Sequence, residues 1–487
     1  MAVLGKTTVQ PDRPSVGPRG PGGLIEARGI ELVPEHERWG SPSRLFGMWA
    51  GTCWNVEFVV YGTLAVAIFG LSFAQAVAII LVGNCFYVLT GLASLPGAEA
   101  GTTAFGVSRA AFGPRGNRAP SFFNWVTQVG FEIEGIALIV LVAVAMFAKG
   151  GVQASTVLKV VLVIAAVAVQ ALLPLVGHRA MLKVLHWLAY PFIALFVIMA
   201  VITAGKVNLH AAPHGAGWGS LMVFLALVIS VGGLGWTENA SDYSRYLPAA
   251  TSKKRIVAAV ALGAAIPSAL LEVLGAAVAT AVAPAHAGGL ASVTGLVAVF
   301  PAWFIWPYFL MALLQLFAIN SVDLYSSGVT LQSLWSRLRR WHCVLIDTVV
   351  AGGFAAYAVF SGRFSQLLAD FILFIIVWLA PWFAIYFIDY LLRGRRYDPA
   401  ALMDEKGGLY FRRSGVHWPA VVAQAVGMLA AMAWLNAYSP YVSWLSSHVD
   451  GSDFSVFMGL VFGGGTYFLL ARKGIRQEPA YRPVPAY

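Results

Sequence analysis

Acidic side chains lie inside or beside long apolar stretches of this 487-residue chain: Glu57, Glu132, Glu134, Glu238, Glu272 and Asp323. A carboxyl group at membrane depth costs a few kcal/mol, so such acids usually line a polar path or a binding site. A carboxylate can accept N–H donors from a bound molecule, and it can also carry a proton. The pattern therefore predicts a membrane protein that moves a polar cargo.

Two apolar segments carry polar residues at helical spacing. Phe131, Glu134 and Gly135 lie three and four positions apart and share one helical face, whereas we interpret Glu132 as a hydrogen-bonded residue between helices. Phe131 offers an apolar aromatic face and Glu134 a hydrogen-bond acceptor, the two kinds of group that small-molecule sites combine.

Asn320 and Asp323 also share a helical face, on a second segment. Asn320 is a candidate substrate ligand or gate residue. For Asp323 the sequence leaves three roles open, namely a proton carrier, an acceptor in the site and a structural residue held by a tyrosine.

Composition excludes a soluble protein. Hydrophobic residues make up 59% of the chain and charged residues 11%, against roughly 25% charged in soluble domains. The net charge of +10 would suit nucleic acid, but the Lys and Arg residues lie in short loops between apolar stretches, as membrane topology requires. Lipid is therefore the expected surrounding, and no nucleic-acid partner is expected.

No motif indicates catalysis or a bound cofactor. The cysteines Cys53, Cys85 and Cys343 have no zinc-site or disulfide spacing, and HExxH, P-loop and His/Asp metal motifs are absent from the sequence. We therefore expect no enzyme activity, catalytic residue, metal or cofactor. The first 45 residues lack the apolar segment of a cleavable signal peptide. The tail through Pro34 and the end at 479–487 are expected to be flexible.

The apolar stretches predict twelve membrane-spanning helices, because about 20 apolar residues cross the hydrocarbon core. We number them span 1 to span 12, at 46–69, 73–95, 119–148, 152–174, 183–204, 217–241, 255–281, 296–331, 342–360, 366–391, 418–437 and 454–471. Connections after odd-numbered spans contain only three Lys or Arg residues, Lys149, Lys206 and Arg363. The remaining Lys and Arg residues of the connections follow even-numbered spans. This bias predicts that both termini are cytoplasmic in a multi-pass protein of the plasma or inner membrane.

Spans 1 and 6 each place glycine beside Trp, Asn and Glu in the middle of an apolar run. Glycine favours unwound backbone, which persists at membrane depth only where it is buried in protein or lines a cavity. Interrupted helices at matching positions of two halves mark a transport site. Trp54 and Asn55 of span 1, and Gly233, Gly235 and Trp236 of span 6, are therefore candidate substrate-binding residues. Close helix packing through small residues is the alternative.

Three motifs resemble the nucleobase:cation symporter-1 family, in particular its purine–cytosine permease branch. They are GWTENASDYSRY at Gly235–Tyr246, NSVDLYS at Asn320–Ser326 and VSRAAFG at Val107–Gly113, and the resemblance runs from about Leu45 to Gln332. It implies an all-α polytopic membrane protein with about 12 transmembrane helices and a LeuT-like inverted 5+5 repeat, in which helices 1 and 6 are broken.

The resemblance also implies domain boundaries and a mechanism. The expected units are a cytoplasmic tail at 1–45, inverted five-helix repeats at 46–204 and 217–391, two peripheral helices at 418–471 and a cytoplasmic tail at 472–487. A substrate then lies between spans 1, 3, 6 and 8 and is reached alternately from each side, as spans 1, 2, 6 and 7 rock against the rest.

Site residues of the family carry over only in part. The family's stacking Trp aligns with Phe131, which keeps an aromatic face, and its amide or small residue aligns with Gly135, so Glu134 is expected to take over recognition of the base edge. The family's aromatic of the sixth helix aligns nearer Gly233, which leaves Trp236 open between a site residue and a packing residue.

The coupling ion is expected to be a proton. Sodium-coupled relatives place hydroxyl side chains on span 8 where this chain has Ala318 and Ile319, neither of which has a hydroxyl. A membrane carboxyl group can carry a proton, so Glu57, Glu134 and Asp323 are the candidate carriers.

Import of cytosine or a purine by a monomer is the function that the resemblance implies. Allantoin, hydantoins and vitamin-like heterocycles suit the same scaffold. A membrane channel and a substrate-sensing receptor are the alternatives of other classes, although the sequence contains no filter-like repeat and no signalling domain.

Overall fold

The computed structural model describes residues 30–176, 178–208, 210, 216–282, 292–335, 338–361, 364–437 and 441–478. Throughout these ranges the regular structure is helical, and strand pairing is limited to one isolated bridge between Asn436 and Val442. The all-α expectation is therefore confirmed.

Each predicted span corresponds to helix in the structure. Span 1 comprises Pro42–Cys53 and Val56–Ala67, span 2 Phe73–Asn84 and Tyr87–Ala100, span 3 Arg118–Lys149, span 4 Thr156–Val176, span 5 His178–Ala204, and span 6 begins with Trp218–Ile229. Span 7 is Lys253–Ala279, span 8 Ala302–Leu334, span 9 Arg340–Ser361, span 10 Phe364–Leu392, span 11 Trp418–Ala433 and span 12 Ser455–Gln477. Shorter helices lie in the connections, at Ala104–Phe112, Pro399–Met403 and Trp444–Ser447.

Length and composition support the count of spans. In the part of the chain that the structure describes, 9 helices are long and apolar enough to cross a membrane. Shorter apolar helices at Val56–Ala67, Thr156–Leu172 and Trp418–Ala433 account for spans 1, 4 and 11.

The predicted break in span 1 lies at Trp54 and Asn55, between its two helices. A broken helix leaves backbone N–H groups without helical partners, and these groups need other acceptors. The Asn55 side chain accepts a hydrogen bond from the Glu57 N–H at 3.2 Å. Gln315 of span 8 accepts the Val56 N–H through its Oε1 atom at 2.9 Å.

Span 6 is also interrupted, as the sequence predicts. Its first helix ends at Ile229, and the chain continues through a wide turn at Ser230–Leu234 and a 3₁₀ turn at Gly235–Glu238 before the short helix Ala240–Ser244. Gly232 adopts non-helical backbone angles, with φ −103° and ψ −109°.

The spans pack in two groups that meet at the breaks. Span 7 packs against spans 1 and 2, and span 2 packs against span 6; these four spans are called the bundle below. Spans 3, 4, 8 and 9 form a second packed group, called the scaffold, in which span 3 lies along span 8. Spans 11 and 12 pack on each other and on span 10.

The expectation of a flexible tail through Pro34 is wrong for its last residues. Ile30 and Val33 are buried, because the segment lies across the ends of the helices. The Ile30 N–H donates to Gln332 Oε1 at 3.2 Å, and the Val33 N–H donates to the Gly101 carbonyl at 2.8 Å. Residues 1–29 and 479–487 lie outside the described part of the chain.

Candidate functional site

A cavity lies where spans 1, 3, 6 and 8 meet, between the two breaks. Its volume is about 580 Å³, including its opening, which is within the usual range of small-molecule sites. The lining residues are Glu57, Phe58, Tyr61, Gln128, Phe131, Glu134, Gly135, Val231, Gly235, Trp236, Glu238, Asn239, Ile319, Asn320 and Asp323.

Span 3 contributes an aromatic ring and a carboxyl group to the cavity. The ring of Phe131 meets the ring of Phe371 of span 10 edge-on, with centroids 5.2 Å apart and planes at 83°. Glu134 is 8% exposed, and its carboxyl group has no hydrogen-bond partner among the described residues. This carboxyl group is therefore available to a bound molecule.

Gly135 makes room for the side chain of Asn320 on span 8. A Cβ atom at position 135 would lie 2.7 Å from both Cγ and Oδ1 of Asn320, which is too close. The Asn320 amide donates to Gln170 Oε1 of span 4, and its Oδ1 has no partner in the described part of the chain. Asn320 thus brings an amide side chain into the space beside Gly135.

Span 6 brings an aromatic ring and two polar side chains. Trp236 lines the cavity, and its ring also packs edge-on against Trp49 with ring centroids 5.6 Å apart. The side chain therefore borders the cavity and packs against span 1 at the same time. Glu238 accepts a hydrogen bond from Gln128 Nε2 at 2.5 Å. Its second oxygen, and the Oδ1 of Asn239, have no partner among the described residues.

The remaining two carboxyl groups come from spans 1 and 8. Glu57 Oε2 accepts a hydrogen bond from Asn55 Nδ2 at 3.2 Å. Asp323 is 7% exposed and lies one helical turn after Ile319 and Asn320. Tyr243, which interacts electrostatically with Asp323, shares a hydrogen bond of 2.9 Å with Ser326.

Three predicted site residues lie outside the cavity lining. Trp54 packs against Phe196 of span 5 with ring centroids 6.0 Å apart, and Asn55 caps the second helix of span 1. The Gly233 carbonyl accepts a hydrogen bond from Thr90 at 2.7 Å, on the side of span 6 that faces span 2. Trp54 and Gly233 thus contact neighbouring helices, and Asn55 caps a helix.

Other lining residues were not among the predicted site residues, notably Gln128, Glu238 and Asn239. Gln128 had a detectable signal, because it precedes Phe131 by three positions and Gly135 by seven and so shares their helical face. Glu238 and Asn239 both lie in the motif Gly235–Tyr246.

Known proteins match the chain over most of its length. Residues 32–459 match the family described as permease for cytosine/purines, uracil, thiamine and allantoin. The chain belongs to this family. The resemblance seen in the three motifs is therefore confirmed, and the expectation that the chain is not an enzyme is also confirmed, because the relatives are permeases.

The sequences of two relatives align with nearly the whole permease. The permease is 27% identical to the YxlA protein of Bacillus subtilis over 94% of this chain and 98% of that protein. It is 28% identical to the purine-cytosine permease fcyB of Emericella nidulans over 92% of this chain and 88% of that protein.

The fold of the permease matches that of a solved transporter. Mhp1, a nucleobase-cation-symport-1 family transporter, in a closed conformation with bromovinylhydantoin bound, superposes with a TM-score of 0.76. The match covers 94% of this chain and 98% of that chain at 18% identity. The LeuT-like architecture with broken helices 1 and 6 is thereby confirmed.

The electrostatics of the permease's cavity are one-sided. Glu57, Glu134, Glu238 and Asp323 line it, and Lys, Arg and His are absent from its described lining. Like charges in a poorly hydrated space repel strongly, so protons, N–H donors or a cationic group stabilise this arrangement. Rings from spans 1, 3 and 6 supply apolar surface beside the carboxyl groups.

Gln315 is expected to stabilise the broken helix of the permease. Gln315→Met keeps the size of the side chain but removes the acceptor of the Val56 N–H. Because a buried donor without a partner costs about 1–3 kcal/mol, we expect a lower thermal unfolding midpoint in detergent. Gln153→Met is the comparison, since that glutamine is exposed in the connection between spans 3 and 4, far from the break. An unchanged midpoint for Gln315→Met alone would show that the break does not depend on this contact.

Proposed function

We propose that this permease imports an amino-bearing nucleobase, cytosine or a purine, across the cell membrane by proton symport. The observation that carries the proposal is a cavity lined by four carboxyl groups and several aromatic rings, without a basic side chain in its described lining. The name of the relative fcyB, a purine-cytosine permease, supports the same substrate class.

The lining chemistry favours bases that present N–H groups. An exocyclic amino group and a ring N–H donate hydrogen bonds, which carboxylate oxygens accept. Hydrogen bonds to a charged group contribute about 1.5–3 kcal/mol each. Uracil instead carries a carbonyl oxygen where cytosine carries its amino group, so that oxygen would face the acceptor oxygens of a carboxylate. Uracil is therefore expected to bind less tightly than cytosine or adenine.

The rings of the cavity supply the second half of recognition. Phe131, Trp236 and Tyr61 line it on spans 3, 6 and 1. Stacking of a base on an aromatic side chain contributes about 1–3 kcal/mol in single-strand nucleic-acid binders, and it tolerates different bases. In the proposed site, the rings hold the plane of the base, and Glu134, Asn320 and Asp323 read its edge.

The proposed transport cycle is alternating access. A proton neutralises one carboxyl group among Glu57, Glu134 and Asp323, and the base then binds between the bundle and the scaffold. Because the empty, ionised cavity is destabilised by charge repulsion, loading changes the relative stability of the two orientations of the bundle, as a ligand-driven shift requires. We propose that the protein works as a monomer with both termini in the cytoplasm.

Ion gradients separate proton from sodium coupling. In proteoliposomes that contain the wild-type protein in their membrane, an inside-alkaline pH gradient is expected to drive accumulation of labelled cytosine or adenine. A sodium gradient at fixed pH is expected to give no accumulation above that of protein-free vesicles, because the proposed carriers are carboxyl groups that bind a proton. Accumulation that follows the sodium gradient instead would rule out the proton.

A further inference from the structure

A second pair of acids lies in the scaffold, away from the substrate cavity. Glu132 of span 3 precedes Glu134 by two positions and does not line the cavity. It is fully buried, and neither of its carboxyl oxygens has a hydrogen-bond partner in the described part of the chain. Glu132 is thus buried between helices, as expected, but neither of its oxygens makes a hydrogen bond of normal geometry.

Asp347 of span 9 is the partner acid. It is fully buried and receives two hydrogen bonds, from Trp125 Nε1 to Oδ1 at 2.7 Å and from Ser327 Oγ to Oδ2 at 3.0 Å. Glu132 interacts electrostatically with Asp347 and, more weakly, with Asp323 of the cavity. These are the charged groups that face it from spans 9 and 8.

Two acids buried side by side at a junction of three helices cannot both be ionised without a large cost. An ionised carboxyl group without a partner is costly in a protein interior, and two adjacent ones are costlier still. Asp347 receives two hydrogen bonds, which stabilise its carboxylate, whereas neither oxygen of Glu132 receives one of normal geometry. A proton held by Glu132 beside an ionised Asp347 therefore leaves a single negative charge, placed where the donors are.

Asp347 also lies nearer than Asp323 to the ends of spans 8 and 9 that their connection joins. Ser327, which donates to Asp347, is one helical turn from Asp323 on span 8. At a rise of about 1.5 Å per residue, Asp323 lies about 16 Å from the Leu334 end of its helix. Asp347 lies only about 10 Å from Arg340 at the corresponding end of span 9. That end of both helices is predicted to be cytoplasmic.

We propose that Glu132 and Asp347 form a proton-binding site in the scaffold, separate from the substrate cavity, through which the coupled proton leaves for the cytoplasm. Glu132 gives its proton to the Asp347 carboxylate, which releases it, and the Glu132 carboxylate then accepts the proton of Asp323. Each transfer protonates one carboxylate and deprotonates one carboxyl group. This inference rests on the proposed proton coupling.

The test compares exchange with net transport in proteoliposomes. Glu132→Gln cannot pass a proton, but it leaves the cavity lining intact. We expect counterflow of labelled cytosine or adenine at equal pH to stay within about twofold of wild type. Accumulation driven by an inside-alkaline gradient, and proton uptake measured with a pH-sensitive dye, should both fall at least about tenfold. Asp347→Asn should behave in the same way.

Glu272→Gln is the matched control. Glu272 of span 7 is also buried within the membrane, but it accepts a hydrogen bond from Asn84 at 2.6 Å and lies in the bundle. The same change of carboxyl to amide there should leave accumulation and proton uptake close to wild type.

The outcomes separate this inference from the proposed function. Absence of substrate-dependent proton uptake by the wild-type protein would refute proton coupling itself. Proton uptake by wild type, together with normal accumulation by Glu132→Gln, would overturn the scaffold site and leave the proposed function standing. Loss of counterflow as well as accumulation, in a variant with a normal unfolding midpoint, would also overturn it, because the pair would then be structural. If Glu132→Gln does not fold, Asp347→Asn decides between the same outcomes.

Discussion

Glu134→Gln is expected to lower uptake of labelled cytosine or adenine at least about tenfold, with an unchanged amount of folded protein in the membrane. The amide keeps the size of the side chain but removes the negative charge and one of its two acceptor oxygens. Because a hydrogen bond to a charged group contributes about 1.5–3 kcal/mol, its loss corresponds to a factor of about 10 to 150 in affinity. Initial uptake rates at several substrate concentrations measure this loss.

The control for Glu134→Gln is Asp404→Asn, the same kind of change in an exposed connection between spans 10 and 11. Asp404 accepts hydrogen bonds from the nearby backbone N–H groups of Lys406 and Gly407, and it is remote from the cavity lining. Uptake by this variant should equal that of wild type. Normal transport by Glu134→Gln would remove Glu134 from the site.

A second large effect is expected at the contact between spans 1 and 7. Gly62 faces the backbone of Glu272, and Gly275 faces the backbone of Val59, so closely that a Cβ atom at either glycine would overlap a carbonyl oxygen. Small residues allow membrane helices to approach in this way. Gly62→Val and Gly275→Val must therefore push the two helices apart. We expect little or no monodisperse protein on size-exclusion chromatography in detergent.

Gly465→Val tests whether the effect comes from this contact rather than from replacing a glycine. Gly465 also lies inside a helix, in span 12, but nothing lies within 4 Å of the position a Cβ would take. That variant should yield folded protein with an unfolding midpoint close to wild type. Equal yields for all three variants would show that spans 1 and 7 tolerate separation.

Local sequence patterns were sufficient to predict the twelve spans and the breaks in spans 1 and 6, but not the break between Asn84 and Tyr87 in span 2. Apolar length defines a membrane span, and the glycines beside Trp, Asn and Glu interrupt spans 1 and 6 as expected. Helical spacing also placed Phe131, Glu134 and Gly135 on one face, and the structure brings that face to the cavity with Asn320 and Asp323.

Contacts between distant segments could not be predicted in the same way. Interrupted backbone either lines a cavity or packs against a neighbouring helix, and which of the two holds for Trp54 or Gly233 depends on where spans 5 and 2 lie. The hydrogen bond from Gln128 to Glu238 joins residues 110 positions apart. The pairing of Glu132 with Asp347 likewise depends on the packing of spans 3 and 9, which apolar periodicity does not specify.

Competition for counterflow tests the central claim most directly, namely that a carboxyl-lined cavity selects a base with amino donors. Purified permease in proteoliposomes is preloaded with unlabelled cytosine or adenine, and entry of the labelled base is measured against unlabelled cytosine, adenine and uracil. We predict saturable counterflow that cytosine or adenine inhibits at least about tenfold more strongly than uracil, which carries a carbonyl oxygen in place of the amino group of cytosine. Equal or stronger inhibition by uracil, or no counterflow of either base by folded protein, would contradict the claim.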